Sequence, residues 1–344
     1  MLERADPELT RMELVTLAPP GPVAARLAAH GIEVRSLGKH GLLVAFARLA
    51  RLLARERYDV AVAYGFKATT VGRVLVRVLS PSTALVCGVQ ALHVSEFENL
   101  HGPKARFVSL VERIGAPLVN MYEANSRGAL DLLASLGIPP SKLHYIPSGI
   151  DAEEWPEAVR PGSGTPTILC VARFVARKRH QDLIEAARML AAEGVPFRLA
   201  FAGDGPRLDQ IRRSAADLGD RVSFLGAVGT ADLAALYGDA DVFCLPSAWE
   251  GMAGSVLEAM ATGLPVVGTA VNGIADLVVA DETGLLVPSA SPSGLADALR
   301  RLLVDPELRT RLGRAARRRV EAEFPIDRTV TRKQELYRTV ANAA

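Results

Sequence analysis

Two glutamates eight positions apart, Glu250 and Glu258, lie in SAWEGMAGSVLEAMATGLPVVGTAVNGIADLV, residues 247 to 278. An apolar run, DVFCLPS, leads through a glycine-containing loop into a helix expected to begin near Ala253. The first amides of a helix have no partner within it, and the macrodipole adds positive potential, so such a tip attracts anions. Gly251, Met252, Ala253, Gly254 and Ser255 would form that tip. Glu250 falls just before it and Glu258 about one turn inside. A carboxylate accepts two hydrogen bonds side by side, the geometry offered by the 2′,3′-diol of a ribose, at ~1.5–3 kcal/mol each. The pattern predicts a diphosphate on the tip, with a ribose to one side and a sugar to the other. For the glutamates alone, an exposed helix with two ordinary carboxylates is the better explanation; the full Gly, Glu and Pro pattern favours the binding site.

A second cluster is VARFVARKRHQDLIEA. Arg173 ends a strand and Lys178 is expected to begin the next helix, so a guanidinium fork and a point charge could reach two phosphates. A third is FAGDGPRL, where Gly203 and Gly205 mark a strand-to-helix turn but the third glycine of a dinucleotide site is absent. Gly226, in VSFLGAV, is another turn. Asp239-Ala240-Asp241 spells a possible metal motif, yet it falls at the start of a strand, away from the strand ends where ligands gather. No metal and no cofactor are expected.

These residues need a scaffold of the right class. Hydrophobic residues make up 49% and charged residues 23% of 344, enough for two α/β domains and unlike a disordered chain. Forty basic against 38 acidic residues give no overall field for nucleic acid, and only 5% are aromatic. Cys87, Cys170 and Cys244 each sit in an apolar run without CxxC spacing, which speaks against zinc or a disulfide framework. Strands are expected at MELVTL, IEVRSL, DVAVAY, ALVCGV, LVNMYEA and LHYI, then at TILCVA, FRLAFAG, VSFLG, DVFCLP, PVVGTA and GLLVP, with helical stretches between. The acid-, Pro- and Gly-rich DAEEWPEAVRPGSGTP reads as a linker. The expected division is residues 1–152, residues 153–325, and a C-terminal helix over 326–344 packing back on the first domain. Two doubly wound parallel sheets would face each other across a ligand cleft.

The Glu-x7-Glu of Glu250 and Glu258, followed by EAMATGLPVVGT, resembles the retaining nucleotide-sugar glycosyltransferase family 4, with its two-Rossmann GT-B architecture. The resemblance implies that Glu250 contacts the donor sugar and Glu258 the ribose, and that Arg173 and Lys178 are the diphosphate pair. It implies a metal-independent transfer with retention by front-side displacement, in which the leaving diphosphate helps deprotonate the acceptor. Met252 and Ala253 stand where many members have Phe-Gly, which leaves the donor sugar open. YGFKATTVGR and ANSRGALDLLASLGIPPSKLHYIPSGID resemble the family's acceptor domain, with Ser148-Gly149 in place of the usual Asn-Gly. His93, in QALHVSEFE, matches a histidine many members keep for the transferring sugar; an ordinary loop histidine, or His101 in the role, stays open. Lys67 is a further acceptor or phosphate candidate.

The partners implied are a UDP- or GDP-sugar and a saccharide, glycolipid or other small acceptor, in cell-envelope polysaccharide or glycolipid synthesis. No apolar run reaches the ~18 residues of a membrane span, and MLERADPELTR is too charged for a signal peptide. A cytoplasmic protein is expected, with peripheral contact at the inner membrane face kept open. Leu42 to Arg57 is apolar on one side and basic on the other, suiting either the sheet or a membrane; Arg311, Arg314 and Arg318 form a solvated face or an anion patch. LERADPELTR reads as the end of a helix, so the first strand and glycine loop of the family are expected to be missing. The rival readings are an epimerase or phosphorylase on the same fold, and a nucleotide-sugar-binding protein with little catalytic activity.

Overall fold

Alternating β-branched runs and amphipathic stretches form strands and helices wherever the periodicity asks for them. The computed structural model describes residues 2–6, 8–19, 21–38, 41–90, 102–157 and 164–343. The chain divides into two units, Met1–Pro147 with Ile326–Ala344, and Ser148–Pro325.

The first unit runs β1 (Glu13–Thr16), α1 (Pro22–Ala29), β2 (Glu33–Ser36), α2 (Leu42–Arg55), β3 (Val60–Tyr64), α3 (Phe66–Leu79), β4 (Ala84–Val89), α4 (Pro103–Gly115), β5 (Met121–Ala124), α5 (Arg127–Ser135) and β6 (Leu143–Tyr145). All pairings are parallel, but they make two sheets: β1 with β2, and β3-β4-β5-β6. Among the described residues no ladder joins β1 to β3. Side chains bridge them instead: Tyr58, just before β3, donates to Glu13 of β1, and Met12 packs in the cluster that holds Ala84 and Val86.

β4 is buried along its whole length, so its two faces must each find a cover. Leu85, Cys87 and Val89 meet Leu53 of α2 and Val76 of α3. Ala84 and Val86 meet Leu336, Tyr337 and Val340 of the C-terminal helix, Ile326–Asn342. That helix is also pinned by charge. Tyr64, Gly88 and Glu123 are side by side on β3, β4 and β5, and a Cβ on Gly88 would lie 2.0 Å from the Tyr64 ring. The bare glycine lets Tyr64 cross β4 to donate to Glu123, whose carboxylate also takes Lys333 at 2.6 Å and the Tyr337 hydroxyl at 3.0 Å.

The second unit contains β7 (Thr167–Val171), α6 (His180–Ala192), β8 (Arg198–Ala202), α7 (Leu208–Ser214), β9 (Val222–Phe224), α8 (Thr230–Gly238), β10 (Val242–Leu245), α9 (Gly254–Ala261), β11 (Val266–Thr269), β12 (Gly284–Val287), α10 (Pro292–Val304) and α11 (Pro306–Glu323); the C-terminal helix of the first unit is then α12. Its strands form one parallel sheet in the order β12-β11-β10-β7-β8-β9 around one continuous core. The chain proceeds outward from β7 to β9, then returns beside β7 and proceeds the other way. The reversal between β7 and β10 leaves a crevice at their C-terminal ends, the ligand position of open α/β sheets. The expected linker is partly structural: Trp155 is buried in this core, edge-on to Tyr237 at 5.5 Å, with its carbonyl taking Arg317 at 2.8 Å.

Candidate donor site at the strand reversal

The segments leaving β7 and β10 carry most of the charged side chains singled out from sequence. Arg173 follows β7 and is exposed, with no side-chain partner among the described residues. Lys178 does not begin α6. It closes a 3-10 turn, Ala176–Lys178, and Arg179 then takes a left-handed conformation (φ 49°) before α6 starts at His180. This break turns Lys178 towards the β10 loop, where its Nζ lies 2.5 Å from Glu250 Oε1. Both side chains are buried, with 11% and 6% exposure, so each stabilises a charge that would otherwise be stranded away from water.

The Glu250 carboxylate has two more partners, neither foreseen from sequence. Ser247 Oγ donates to Oε1 at 2.6 Å, and Arg177 reaches Oε2 at 3.3 Å. Arg177 also lies over the Trp249 ring, 4.5 Å from its centroid, and its carbonyl accepts the Ala248 amide at 2.7 Å. Thr269, at the end of β11, holds the Ser247 carbonyl at 2.5 Å. The two loops are thus tied by backbone, aromatic and ionic contacts, and the residues proposed separately for sugar and diphosphate touch each other.

Beyond Glu250 the chain reaches the tip of α9. Ala253 is the N-cap, in extended conformation (φ −78°, ψ 96°), and no side chain caps the helix. The loop before it rests on Gly273 (φ +82°), where a Cβ would lie 2.1 Å from the Gly251 carbonyl oxygen and 3.0 Å from that of Glu250. Only glycine tolerates both that φ and that approach. Met252 receives the Ser148 amide on its sulfur at 3.0 Å. Glu258 lies one turn into α9 and accepts the Tyr237 hydroxyl at 2.7 Å. Burial raises the Glu258 carboxyl above its ordinary range, opposed by the Tyr237 hydrogen bond. Tyr237, fully buried on α8, was missed because its pattern reads as core.

Gly203 (φ 137°) and Gly205 (φ 155°) bring the β8 exit against the β7 exit. Cβ atoms there would lie 2.1 Å from the Ala172 carbonyl oxygen and 2.6 Å from that of Phe174. Phe174 and Asp204 are joined by a backbone bond of 2.9 Å, and Gly203 donates to Gly226 at 2.7 Å. The glycine pair therefore buttresses the Arg173 segment. His180 stacks on Phe174 at 4.2 Å, and burial, then Lys178 and Arg207, push its imidazole down to about 3. Asp241 accepts the Thr167 amide at 2.8 Å at the start of β7, while the exposed Asp239 follows α8; among the described residues no group of His, Cys, Asp or Glu is arranged to hold a metal. His93 and His101 lie outside the described residues.

Two family models match the chain, Glycosyltransferase Family 4 over residues 8–154 and Glycosyl transferases group 1 over residues 151–319. A GDP-mannose-dependent alpha-(1-6)-phosphatidylinositol monomannoside mannosyltransferase of Mycobacterium tuberculosis is 32% identical over 246 residues, 65% of this chain and 62% of that protein. A putative colanic acid biosynthesis glycosyltransferase, WcaL of Salmonella typhimurium, is 36% identical over 176 residues, 48% of this chain and 43% of that protein. The matched stretch thus spans less than two thirds of either relative. Among solved structures, sucrose-phosphate synthase from Thermosynechococcus elongatus has a TM-score of 0.78 at 25% identity, covering 92% of this chain and 85% of that one. HepE of Anabaena, in complex with UDP and glucose, has a TM-score of 0.81 at 20% identity over 98% and 94%, a likeness of fold alone. With the two family models together covering residues 8–319, the chain belongs to the family-4 type of GT-B glycosyltransferases.

Proposed function

We propose that this protein transfers a sugar from a nucleoside diphosphate sugar, bound at the β7–β10 reversal of the second unit, to a saccharide or glycolipid acceptor. The observation that carries this reading is the joining of the uncapped α9 tip to the buried Lys178–Glu250 pair at that reversal. In it, Arg173, Lys178 and the first amides of α9 take up the negative charge that grows on the diphosphate as the glycosidic bond breaks. Glu258, oriented by Tyr237, accepts the ribose hydroxyls. Glu250 holds a hydroxyl of the donor sugar, and shares Lys178 with the incoming phosphates. The reaction retains anomeric configuration, with the leaving diphosphate assisting deprotonation of the acceptor, and His93 contacts the transferring sugar. With cationic side chains doing this work, no metal is required, and activity is expected to survive excess EDTA.

A GDP-mannose donor in the mycobacterial relative and UDP with glucose in HepE support a UDP- or GDP-sugar here. A cell-envelope acceptor fits the mycobacterial and WcaL relatives, and would place the protein in the cytoplasm or on the inner face of the membrane. Among the described residues no helix is long and apolar enough to cross a membrane. The test is a thermal-shift screen of UDP-, GDP- and ADP-sugars followed by turnover of the radiolabelled donor that binds. Failure of every nucleotide to bind would overturn the reading. A second reading, nucleotide-sugar binding with little transfer, is favoured by the separation of β1–β2 from β3–β6. It predicts tight donor binding without turnover.

A further inference from the structure

We propose that the face of the first unit formed by α2, α3 and α4 docks on an anionic lipid bilayer. α3 and α4 each join neighbouring parallel strands of the β3–β6 sheet, so right-handed crossovers put both on one side of it, and α2 packs beside α3 there. The packing agrees. Leu53 of α2 and Val76 of α3 cover one face of β4 while α12 covers the other, and Arg73 of α3 is ion-paired with Glu112 of α4.

The outer surface of these helices is unusually apolar. Of fourteen large hydrophobic side chains exposed among the described residues, nine are on them. On α4, Phe107, Leu110 and Ile114 recur at helical spacing, with Ile114 69% exposed. On α3, Val74, Val78 and Leu79 are exposed, and at the start of α2 so are Leu42, Leu43 and Val44, with Leu43 at 85%. Scattered exposed apolar residues need no explanation, but a concentration on three adjacent helices marks an interaction surface.

Charge selects the occupant. The three helices contain nine lysines and arginines and a single acid, Glu112, which is buried on Arg73. Out of 40 basic and 38 acidic residues in the chain, 31 and 37 are left elsewhere, so a nearly neutral protein concentrates its positive charge here. Arg106 and Arg113 are exposed beside the α4 stripe, and Arg51, Arg55 and Lys67 are exposed on α2 and α3. Apolar side chains among cations, with no exposed acid on these three helices to repel a negative surface, are what an anionic bilayer binds: the hydrophobic groups enter the acyl boundary and the cations meet the headgroups. The proposal deepens the membrane contact suggested above by naming its surface.

Flotation of the full chain with vesicles tests it, and because no turnover is needed, failure here leaves the transferase reading standing. Binding is expected to vesicles of phosphatidylcholine mixed with phosphatidylglycerol, and to be at least about tenfold weaker to phosphatidylcholine alone. Phe107→Ser/Leu110→Ser/Ile114→Ser and, separately, Arg106→Glu/Arg113→Glu should each reduce binding by at least about tenfold, with UDP and GDP affinity unchanged. Protein that stays unbound with anionic vesicles, or variants that float like the parent, would overturn the assignment. So would a dimer in sedimentation velocity that the same substitutions dissolve without any vesicle binding, which would give the face to a second copy of the chain.

Discussion

The Arg73–Glu112 pair of the first unit and the Lys178–Glu250 pair of the second share one chemistry and occupy opposite settings. Arg73 and Glu112 join two helices, with 3% and 9% of their side chains exposed, and a bare Gly115 makes room for the guanidinium. Beside them, the Tyr122 hydroxyl and the Arg73 Nε are themselves buried without hydrogen-bond partners among the described residues. Lys178 and Glu250 lie at the C-terminal ends of strands, beside an uncapped helix tip and the exposed Arg173. The sheets differ in the same sense. The second unit has one six-stranded sheet whose reversal makes a crevice, while the first divides its strands between two sheets and spreads apolar side chains over its outer helices. Buried charge serves packing in one unit, and in the other it lies at the crevice where we propose that a diphosphate binds.

Removing one partner tests this most severely. Arg73→Ala and Lys178→Ala should each destabilise the unit that holds them by about 3–5 kcal/mol, because each strands a buried carboxylate. Denaturant unfolding would measure both. Saturating UDP or GDP should stabilise the Arg73→Ala protein as it does the parent and do little for Lys178→Ala. Replacing both members, as Arg73→Met/Glu112→Leu and Lys178→Met/Glu250→Leu, should restore much of the stability in each case, yet leave only the first variant able to bind nucleoside diphosphate. A folded Arg73→Met/Glu112→Leu protein that has lost nucleotide binding would break the distinction.

Glu258→Gln sharpens it next. Loss of a charge-assisted contact to ribose should weaken UDP or GDP binding by ~1.5–3 kcal/mol. Since burial raises the Glu258 carboxyl, the parent's affinity should climb as pH rises through that elevated range and the carboxylate ionises, and the Gln variant should lack this component of the profile. Calorimetry showing unchanged affinity, or the same profile in both, would remove Glu258 from the site. Gly273→Ala is expected to cost ~1–3 kcal/mol, from a left-handed backbone and a Cβ driven against the Gly251 carbonyl. Its stability loss should come with weakened donor binding, since the displaced loop carries Glu250; intact binding would mean the loop adjusts elsewhere.

Much of the frame was legible in the chain. Each of the twelve expected β-branched runs forms a strand, because a buried parallel strand writes itself as a short apolar run whatever its neighbours. What escaped is what the fold brings together across the sequence. Lys178 and Glu250 are 72 residues apart and Tyr237 and Glu258 are 21, and no local spacing announces either pair. Tyr237 looks like core because its ring is core, and only its hydroxyl does more. Gly273 sits in a glycine-rich stretch where one necessary glycine resembles the rest until the backbone beside it is known. The division of the first unit into two sheets is a matter of which edges pair, and alternation of residue type says nothing about that.

The smallest expected effect isolates the second unit from the first. His180 packs flat on Phe174, and its burial, with Lys178 and Arg207 nearby, depresses its imidazole to about 3, against an ordinary value of 6.5. Between those two values the unfolded chain binds a proton that the folded chain does not, so stability must rise with pH across that window. The contribution is fully present above about pH 6.5 and is lost as pH falls towards the folded value. Each proton so linked is worth 1.36 kcal/mol per pH unit, which makes the loss about 1 kcal/mol between roughly pH 7.5 and 5.5. His180→Phe keeps a flat ring on Phe174 and titrates nothing, so it should match the parent near neutrality and outlast it in acid. Both tryptophans, Trp155 and Trp249, lie in the second unit, so their fluorescence follows its unfolding without interference from the first. Parallel pH slopes for parent and variant would mean that His180 is free to protonate where it sits, and that the core behind Lys178 is wetter than the stacking implies.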